Sequence, residues 1–244
     1  MDYQQVIARV AQNWSTVEAE VNNAVADAGR DRNDVRVVGV TKYVDAAATA
    51  ALVAAGCDQL GENRPQVLWE KAESGLIADS VQWHLIGHLQ RNKVRRSLQY
   101  RPIIHSIDSP RLLECVAEES HAAGFVTQVM LEVNVSGEAN KTGMDQETLE
   151  VLVERCSGAK DGASLRNVEV IGLMAMAGWG TDLQAARQQF FLVRKLRDHL
   201  RATYRLPLSQ LSMGMSGDFQ AAIAEGATMV RIGSRLFEGV MEKH

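Results

Sequence analysis

The chain has 244 residues, 46% of them hydrophobic and 23% charged, with a formal net charge of −4. That length allows one large or two small domains, and the composition is that of a soluble globular protein with a full core. The acidic balance gives no global field for nucleic acid or an anionic membrane, and no run approaches the roughly 20 apolar residues of a membrane span.

At the N-terminus, Ile7, Val10, Trp14, Val17, Val21 and Ala24 recur at intervals of three and four. This predicts a long amphipathic helix over 1–28. Arg9, Glu18 and Glu20 interrupt any secretory-type apolar segment. Cys57, Cys115 and Cys156 are widely spaced without a metal-ligand pattern, so reduced thiols in a cytoplasmic protein are expected.

Beyond residue 35, strand-like runs alternate with helical patterns. The strands are expected at Arg36–Lys42, Asp58–Asn63, Val81–Gly87, Ile103–Asp108, Val126–Val135, Glu169–Ala177, Gln210–Ser216 and Met229–Phe237. Helical patterns between them include Asp45–Ala55, Arg111–Ala123 after the Ser109-Pro110 start signal, Asp182–Tyr204 and Phe219–Glu225. Strand-helix alternation implies parallel pairing through crossovers. Eight such units, in a length near the roughly 250 residues typical of the form, predict a closed (β/α)8 barrel. A doubly wound open sheet is the competing architecture. No linker or composition break divides the units, so 1–244 reads as a single domain that the barrel uses up. The eighth unit lacks a clear following helix, and the N-terminal helix is expected to cover that flank.

The first strand-like run, Val35 to Lys42, contains four valines and ends in an amine. A lysine held at such an apolar end tends to lose its proton, and a neutral amine condenses with aldehydes. The bland alternative is a lysine that caps a strand and reaches solvent.

In barrels of this form, active sites lie at the strand C-termini, and phosphate commonly binds after strands seven and eight. Here the seventh unit ends Ser212-Met213-Gly214-Met215-Ser216-Gly217-Asp218, and the eighth reads Met229-Val230-Arg231-Ile232-Gly233-Ser234. Small residues at both turns present hydroxyls and free backbone N–H groups, so the two turns are expected to clamp one phosphate. Arg231 precedes Gly233 by two, so a period-two strand faces both the same way. Its structural use would be pairing with Glu62 or Glu132. Its functional use would be a permanently charged donor to a ring nitrogen, which keeps a pyridine unprotonated.

These motifs carry a resemblance. Val-Gly-Val-Thr-Lys42, Gly61-Glu62-Asn63, the run from Trp83 to Lys93, Asn134…Glu138…Lys141-Thr142-Gly143, Gly172-Leu173-Met174-Ala175-Met176 and the two C-terminal turns resemble, in order, those of the pyridoxal phosphate homeostasis proteins. The resemblance covers residue 36 to the end. It implies a barrel like the alanine racemase N-terminal domain, with pyridoxal 5′-phosphate held as a Schiff base on Lys42. It further implies that Ser216, Gly233 and Ser234 hold the phosphate, Arg231 faces the pyridine nitrogen, and Asn63 lies beside the cofactor. Many members continue Gly-Glu-Asn with an aromatic residue. Here Arg64-Pro65-Gln66 follows, so Pro65 suits a helix first turn and Arg64 adds charge at the entrance.

Other signals read as structural. His84 and His88 lie four apart, but on a strand this favours a hydrogen-bonded histidine over a metal site. The basic run Gln90–Arg96 reads as a solvated helix face rather than an RNA contact. Met174, Met176, Met213 and Met215 are expected in the core, and Trp179 over the site mouth.

Two functional classes remain. One is a carrier that holds pyridoxal phosphate in intracellular vitamin B6 and amino-acid homeostasis, with enzymes needing the cofactor as partners. The other is a pyridoxal phosphate-dependent amino-acid racemase, which needs acid/base groups on both faces of the substrate α-carbon. In the racemases that this barrel resembles, the second group is a tyrosine from another domain across a dimer. Among the tyrosines here, Tyr3 and Tyr204 read as helical, Tyr100 precedes strand four, and Tyr43 is expected to point away from Lys42. A one-sided site favours the carrier, and a monomer is expected.

Overall fold

A computed structural model describes residues 2–135, 142–157, 165–178 and 180–240. Eight parallel strands, joined neighbour to neighbour in chain order, close into a barrel. They are β1 (Arg36–Val40), β2 (Gln59–Glu62), β3 (Gln82–Leu85), β4 (Ile103–Ile107), β5 (Thr127–Glu132), β6 (Val168–Met174), β7 (Gln210–Met215) and β8 (Met229–Ile232). Closure is made by β1 on β8, with Val38 opposite Arg231 and Gly39 opposite Ile232. The open sheet is thereby excluded.

Helix α1 (Tyr3–Asp27) starts in a capping box, where Asp2 accepts from the Gln5 N–H and Gln5 accepts from the Asp2 N–H. It buries Val10, Val17, Val21 and Val25. Around the barrel follow α2 (Ala46–Ala54), α3 (Pro65–Glu73), α4 (Val94–Ser97), α5 (Pro110–Ala123), α6 (Gln146–Cys156), α7 (Leu183–Tyr204) and α8 (Phe219–Ala224). Pro65 sits in the first turn of α3 and Asp182 caps α7. After β8 the chain makes only a 3-10 turn, Ser234–Phe237. Helix α1 packs on α2, α8 and this turn, and Asn13 donates to the carbonyls of Leu236 and Glu238 at 3.1 and 3.0 Å. The expected strand over Met229–Phe237 therefore stops early, because the backbone bends at Gly233 (φ −129°, ψ −74°).

One apolar layer lies between strands and helices, with Phe190, Phe219 and Phe237 among its fully buried members. A smaller apolar cluster consists of Val38, Ile103, Met130, Ile171, Met174 and Met229, all from strands. Met174 and Met213 are buried as expected, whereas Met176 and Met215 are exposed at the strand ends. Among the described residues no helix is long and apolar enough to cross a membrane. All three cysteines are free thiols.

Strand β6 crosses close to β7 at Gly172, where a Cβ would stand 1.8 Å from the Gln210 carbonyl oxygen. Only a hydrogen fits there. Gly172→Ala should lower the unfolding free energy by about 1–3 kcal/mol or more, read from the urea midpoint; an unchanged midpoint would contradict this packing.

Candidate functional site

The site gathers at the C-terminal ends of the strands. Lys42 lies two residues beyond β1, in the turn that leads to α2. That turn is fixed by the Val44 N–H on the Thr41 carbonyl (3.0 Å) and by Asp45, which caps α2 through the Ala48 N–H (2.8 Å). Lys42 itself is exposed. Burial ends at Thr41, because the chain leaves the sheet there, so of the two readings the lysine that reaches solvent is the one observed. The Tyr43 ring, expected to point elsewhere, lies 4.8 Å from Lys42 Nζ.

The lysine that is buried is Lys71 of α3. Its Nζ donates to Glu62 (2.5 Å) and to the Thr41 carbonyl (2.7 Å), while the Thr41 hydroxyl donates to Glu62 (2.5 Å). Burial lowers the Lys71 pKa, opposed by the attraction of Glu62. This cluster pins the residue before Lys42. Glu62 is therefore unavailable to Arg231, contrary to one expected pairing, and its second oxygen is buried without a hydrogen bond among the described residues.

The turns after β7 and β8 meet: the Gly233 N–H donates to the Ser216 hydroxyl at 3.2 Å. A Cβ on Gly233 would stand 3.3 Å from the Val40 carbonyl, so this turn also abuts the end of β1. The expectation of free N–H groups needs correcting at Gly233, which donates to Ser216; beside it, Met215 donates to Asp218 (2.6 Å). The N–H groups of Gly217 and Ser234 have no hydrogen-bond partner among the described residues. Ser234 is exposed at the start of its 3-10 turn. Asn63, half-buried after β2, is approached closely by Gly87, where a Cβ would fall 2.4 Å from the Asn63 carbonyl. Arg64 is exposed at the head of α3.

Arg231 is buried and pairs with neither expected carboxylate. Its Nη1 donates to Ser212 (2.7 Å) and its Nη2 to the Ala175 carbonyl (3.0 Å), while Nε has no partner among the described residues. Desolvation pulls its pKa down to about 10, against the fields of Asp218 and Glu132. Glu132 instead accepts from Thr142 at 2.5 Å, and burial raises its pKa.

Beside Lys42 opens a cavity of about 660 Å³ whose lining includes Glu132, Met176, Leu183, Met215 and Asp218. Two of the four methionines expected in the core, Met176 and Met215, thus line this cavity. Asn134 and Thr142 also line it, whereas Glu138, Lys141 and Trp179 lie outside the described residues.

His84 is a hydrogen-bonded core residue, as its strand pattern suggested, facing His105 at 2.8 Å and Gln59 at 3.0 Å. His88 sits apart, exposed, on Asp108 (2.9 Å). No cluster suited to a metal ion occurs among the described residues. In the basic run, Arg95 pairs with Glu119 and Arg96 with Glu73, both at 2.9 Å on the surface. Sequence reading missed Lys71, His105 and Ser212; the period-two register of β4 and β7 would have turned the last two inward.

A closed barrel of eight parallel strands surrounded by helices is the architecture of the alanine racemase N-terminal domain. The model of that domain matches residues 10–239. The alanine racemase of Corynebacterium glutamicum superposes with a TM-score of 0.73 at 14% identity, over 95% of this chain and 61% of that one. At that identity the likeness establishes the fold. The chain belongs to the pyridoxal phosphate homeostasis protein family: the Aquifex aeolicus member is 37% identical over 226 residues, 93% of this chain and 96% of that protein. PipY of Synechococcus elongatus, solved with PLP bound, superposes with a TM-score of 0.81 at 30% identity, over 93% of this chain and 99% of its own.

Removing the Lys71 charge should leave Glu62 buried and unpaired. Lys71→Met is expected to cost about 3–5 kcal/mol in chemical denaturation, and adding Glu62→Gln should recover part of it; no recovery would contradict the pairing. Burial also lowers His84 from 6.5 to about 3 and His105 well below 6.5. The unfolded chain therefore binds more protons than the folded one below pH 6.5, and stability drains as pH falls from there toward 3. His84→Gln should show a shallower decline of urea midpoint with acidification; an equal decline would contradict a neutral buried His84.

Proposed function

We propose that this chain binds pyridoxal 5′-phosphate at the strand ends and serves intracellular vitamin B6 and amino-acid homeostasis as a binding protein, without turnover of its own. The observation that carries this reading is the Ser216–Gly233 hydrogen bond of 3.2 Å, which joins the turns after β7 and β8 beside the end of β1. An anion cradle and a primary amine then share one barrel mouth.

The residues present suit the cofactor. Lys42 offers an accessible amine; bound there, the cofactor supplies an aldehyde that condenses with such an amine and releases water. Ser216, Gly233 and Ser234 would hold the phosphate, with the partnerless N–H groups of Gly217 and Ser234 as added donors. Helices following these turns are short, α8 having 6 residues, so hydroxyls and backbone donors carry the anion rather than a long helix dipole. Arg231 would present its unpartnered Nε–H to the pyridine nitrogen, and a fixed cation there opposes ring protonation. Asn63 would line the ring. On this reading 1–244 acts as one cofactor-binding domain, and enzymes that require the cofactor are its partners.

What supports binding over racemisation is the placement of the tyrosines. Tyr43 adjoins Lys42 on the same turn, and Tyr100 is engaged with Glu73. Tyr3 lies on α1 and Tyr204 ends α7. None stands opposite Lys42 across the cavity among the described residues, whereas racemisation needs proton donors on both faces.

Loaded with pyridoxal 5′-phosphate, the protein should show visible absorbance that Lys42→Ala lacks; a variant as yellow as wild type would defeat the assignment. Incubated with L-alanine or L-serine, the loaded protein should give no D-enantiomer above a protein-free control. Turnover at roughly 1–10³ s⁻¹, the ordinary enzymatic range, would overturn the binding-protein reading.

A further inference from the structure

Arg231, Ser212, His105, His84 and Gln59 belong to β8, β7, β4, β3 and β2, and their side chains touch in that order. The separations are 2.7, 2.8, 2.8 and 3.0 Å. Since β4 and β7 are not neighbours in the barrel, the His105–Ser212 contact crosses its interior. Ser212, His84 and His105 are completely buried. We propose that Ser212, His105 and His84 are positioning residues, forming a one-way relay of hydrogen bonds that locks the Arg231 guanidinium in place.

The direction of the relay follows from what each group can donate. A guanidinium only donates, so the Ser212 oxygen accepts from Nη1. The hydroxyl has one proton, and its other neighbour is His105 Nδ1, at 2.8 Å. If His105 Nδ1 carried a proton, the buried hydroxyl proton would have no acceptor, which is costly. Ser212 therefore donates to a bare His105 Nδ1. The His105 proton then sits on Nε2 and is donated to His84 Nδ1. His84 in turn holds its proton on Nε2 and donates it to the Gln59 amide oxygen. Every donor in the series meets an acceptor, with both rings neutral and in the same tautomer. Burial favours that neutral state, as does the Arg231 charge facing His105.

At the other end, the Ala175 carbonyl holds Nη2 at 3.0 Å. A long side chain with several free rotations is thus fixed at two of its three nitrogens. The purpose of that lock rests on the proposed cofactor site: the third nitrogen is the one left to face the ring.

The polarity is testable in the wild-type protein without cofactor. Nitrogen-15 NMR should find His84 and His105 neutral with the proton on Nε2 in both; an Nδ1-protonated or cationic ring at either position would overturn the relay. Its positioning role is read from affinity for pyridoxal 5′-phosphate and from the pH titration of the bound visible band. Ser212→Ala and His105→Phe should bind roughly tenfold more weakly, as expected for loss of a buried bond to a charged group, and their titration should shift. His105→Gln, whose amide accepts and donates in the same places, should restore both properties. Wild-type affinity and titration in Ser212→Ala and His105→Phe, with only lower melting temperatures, would reduce these residues to packing and overturn the proposal. A His105→Gln variant as weak as His105→Phe would do the same. A wild type that binds no cofactor would instead refute the proposed function, leaving the NMR result to judge the relay.

Discussion

The ladder between β1 and β8 turns an open sheet into a closed one, and the candidate site exists because of it. An open sheet would leave the first and last strands at opposite edges. Pairing Gly39 with Ile232 sets Lys42 just beyond one strand end and Gly233-Ser234 just beyond the other. Gly233 thereby abuts Val40, almost two hundred positions earlier in the chain. The same closure brings His105 within 2.8 Å of Ser212, 107 residues away. Close packing of the backbones, at Gly172 against Gln210 and Gly233 against Val40, is the steric condition for it.

Closing the barrel also buries polar groups that must be satisfied. The protein meets this with two separate arrangements. Near β1 and β2, Lys71 and Glu62 neutralise each other and clasp Thr41, so the residue before Lys42 is rigid while Lys42 itself reaches solvent. Across the lumen, neutral imidazoles connect Arg231 to Gln59 without adding charge. A buried ion pair gives little net stability but makes each partner dependent on the other. A neutral hydrogen-bonded series instead orients a single cation with minimal electrostatic cost. The rigid parts of the site thus lie beneath the mouth, and the accessible amine lies at its rim.

Much of this was legible from residue order. Continuous apolar strands alternating with helical patterns gave the eight-unit count, because parallel strands in such barrels are covered on both faces. Gly and Ser after strands seven and eight marked the turns that do meet, and the Arg231 spacing put it on one strand face with Gly233 without saying which face is the interior. Local backbone geometry was less legible. The valine run left open whether Lys42 is buried or reaches solvent; the chain leaves the sheet at Thr41, so it reaches solvent, and Tyr43, read as turned away, lies beside it. A free N–H was expected at Gly233, where Ser216 accepts from it. Lys71 looks in sequence like any helix lysine, and its pairing with Glu62 follows from how α3 lies on β2. The partners of Arg231 were missed because they come from β6 and β7, brought near only by the register of the closed sheet.

The central claim is that the amine after the first strand meets a phosphate-bearing aldehyde anchored by the turns after the last two. Borohydride treatment of the pyridoxal 5′-phosphate-loaded protein, followed by proteolysis and mass spectrometry, tests it at the level of the residue. The account predicts one stoichiometric pyridoxyl label on the peptide containing Lys42, lost when Ser216 and Ser234 are both replaced by bulky acidic residues. A label distributed over surface lysines, or fixed on a different lysine, would contradict it.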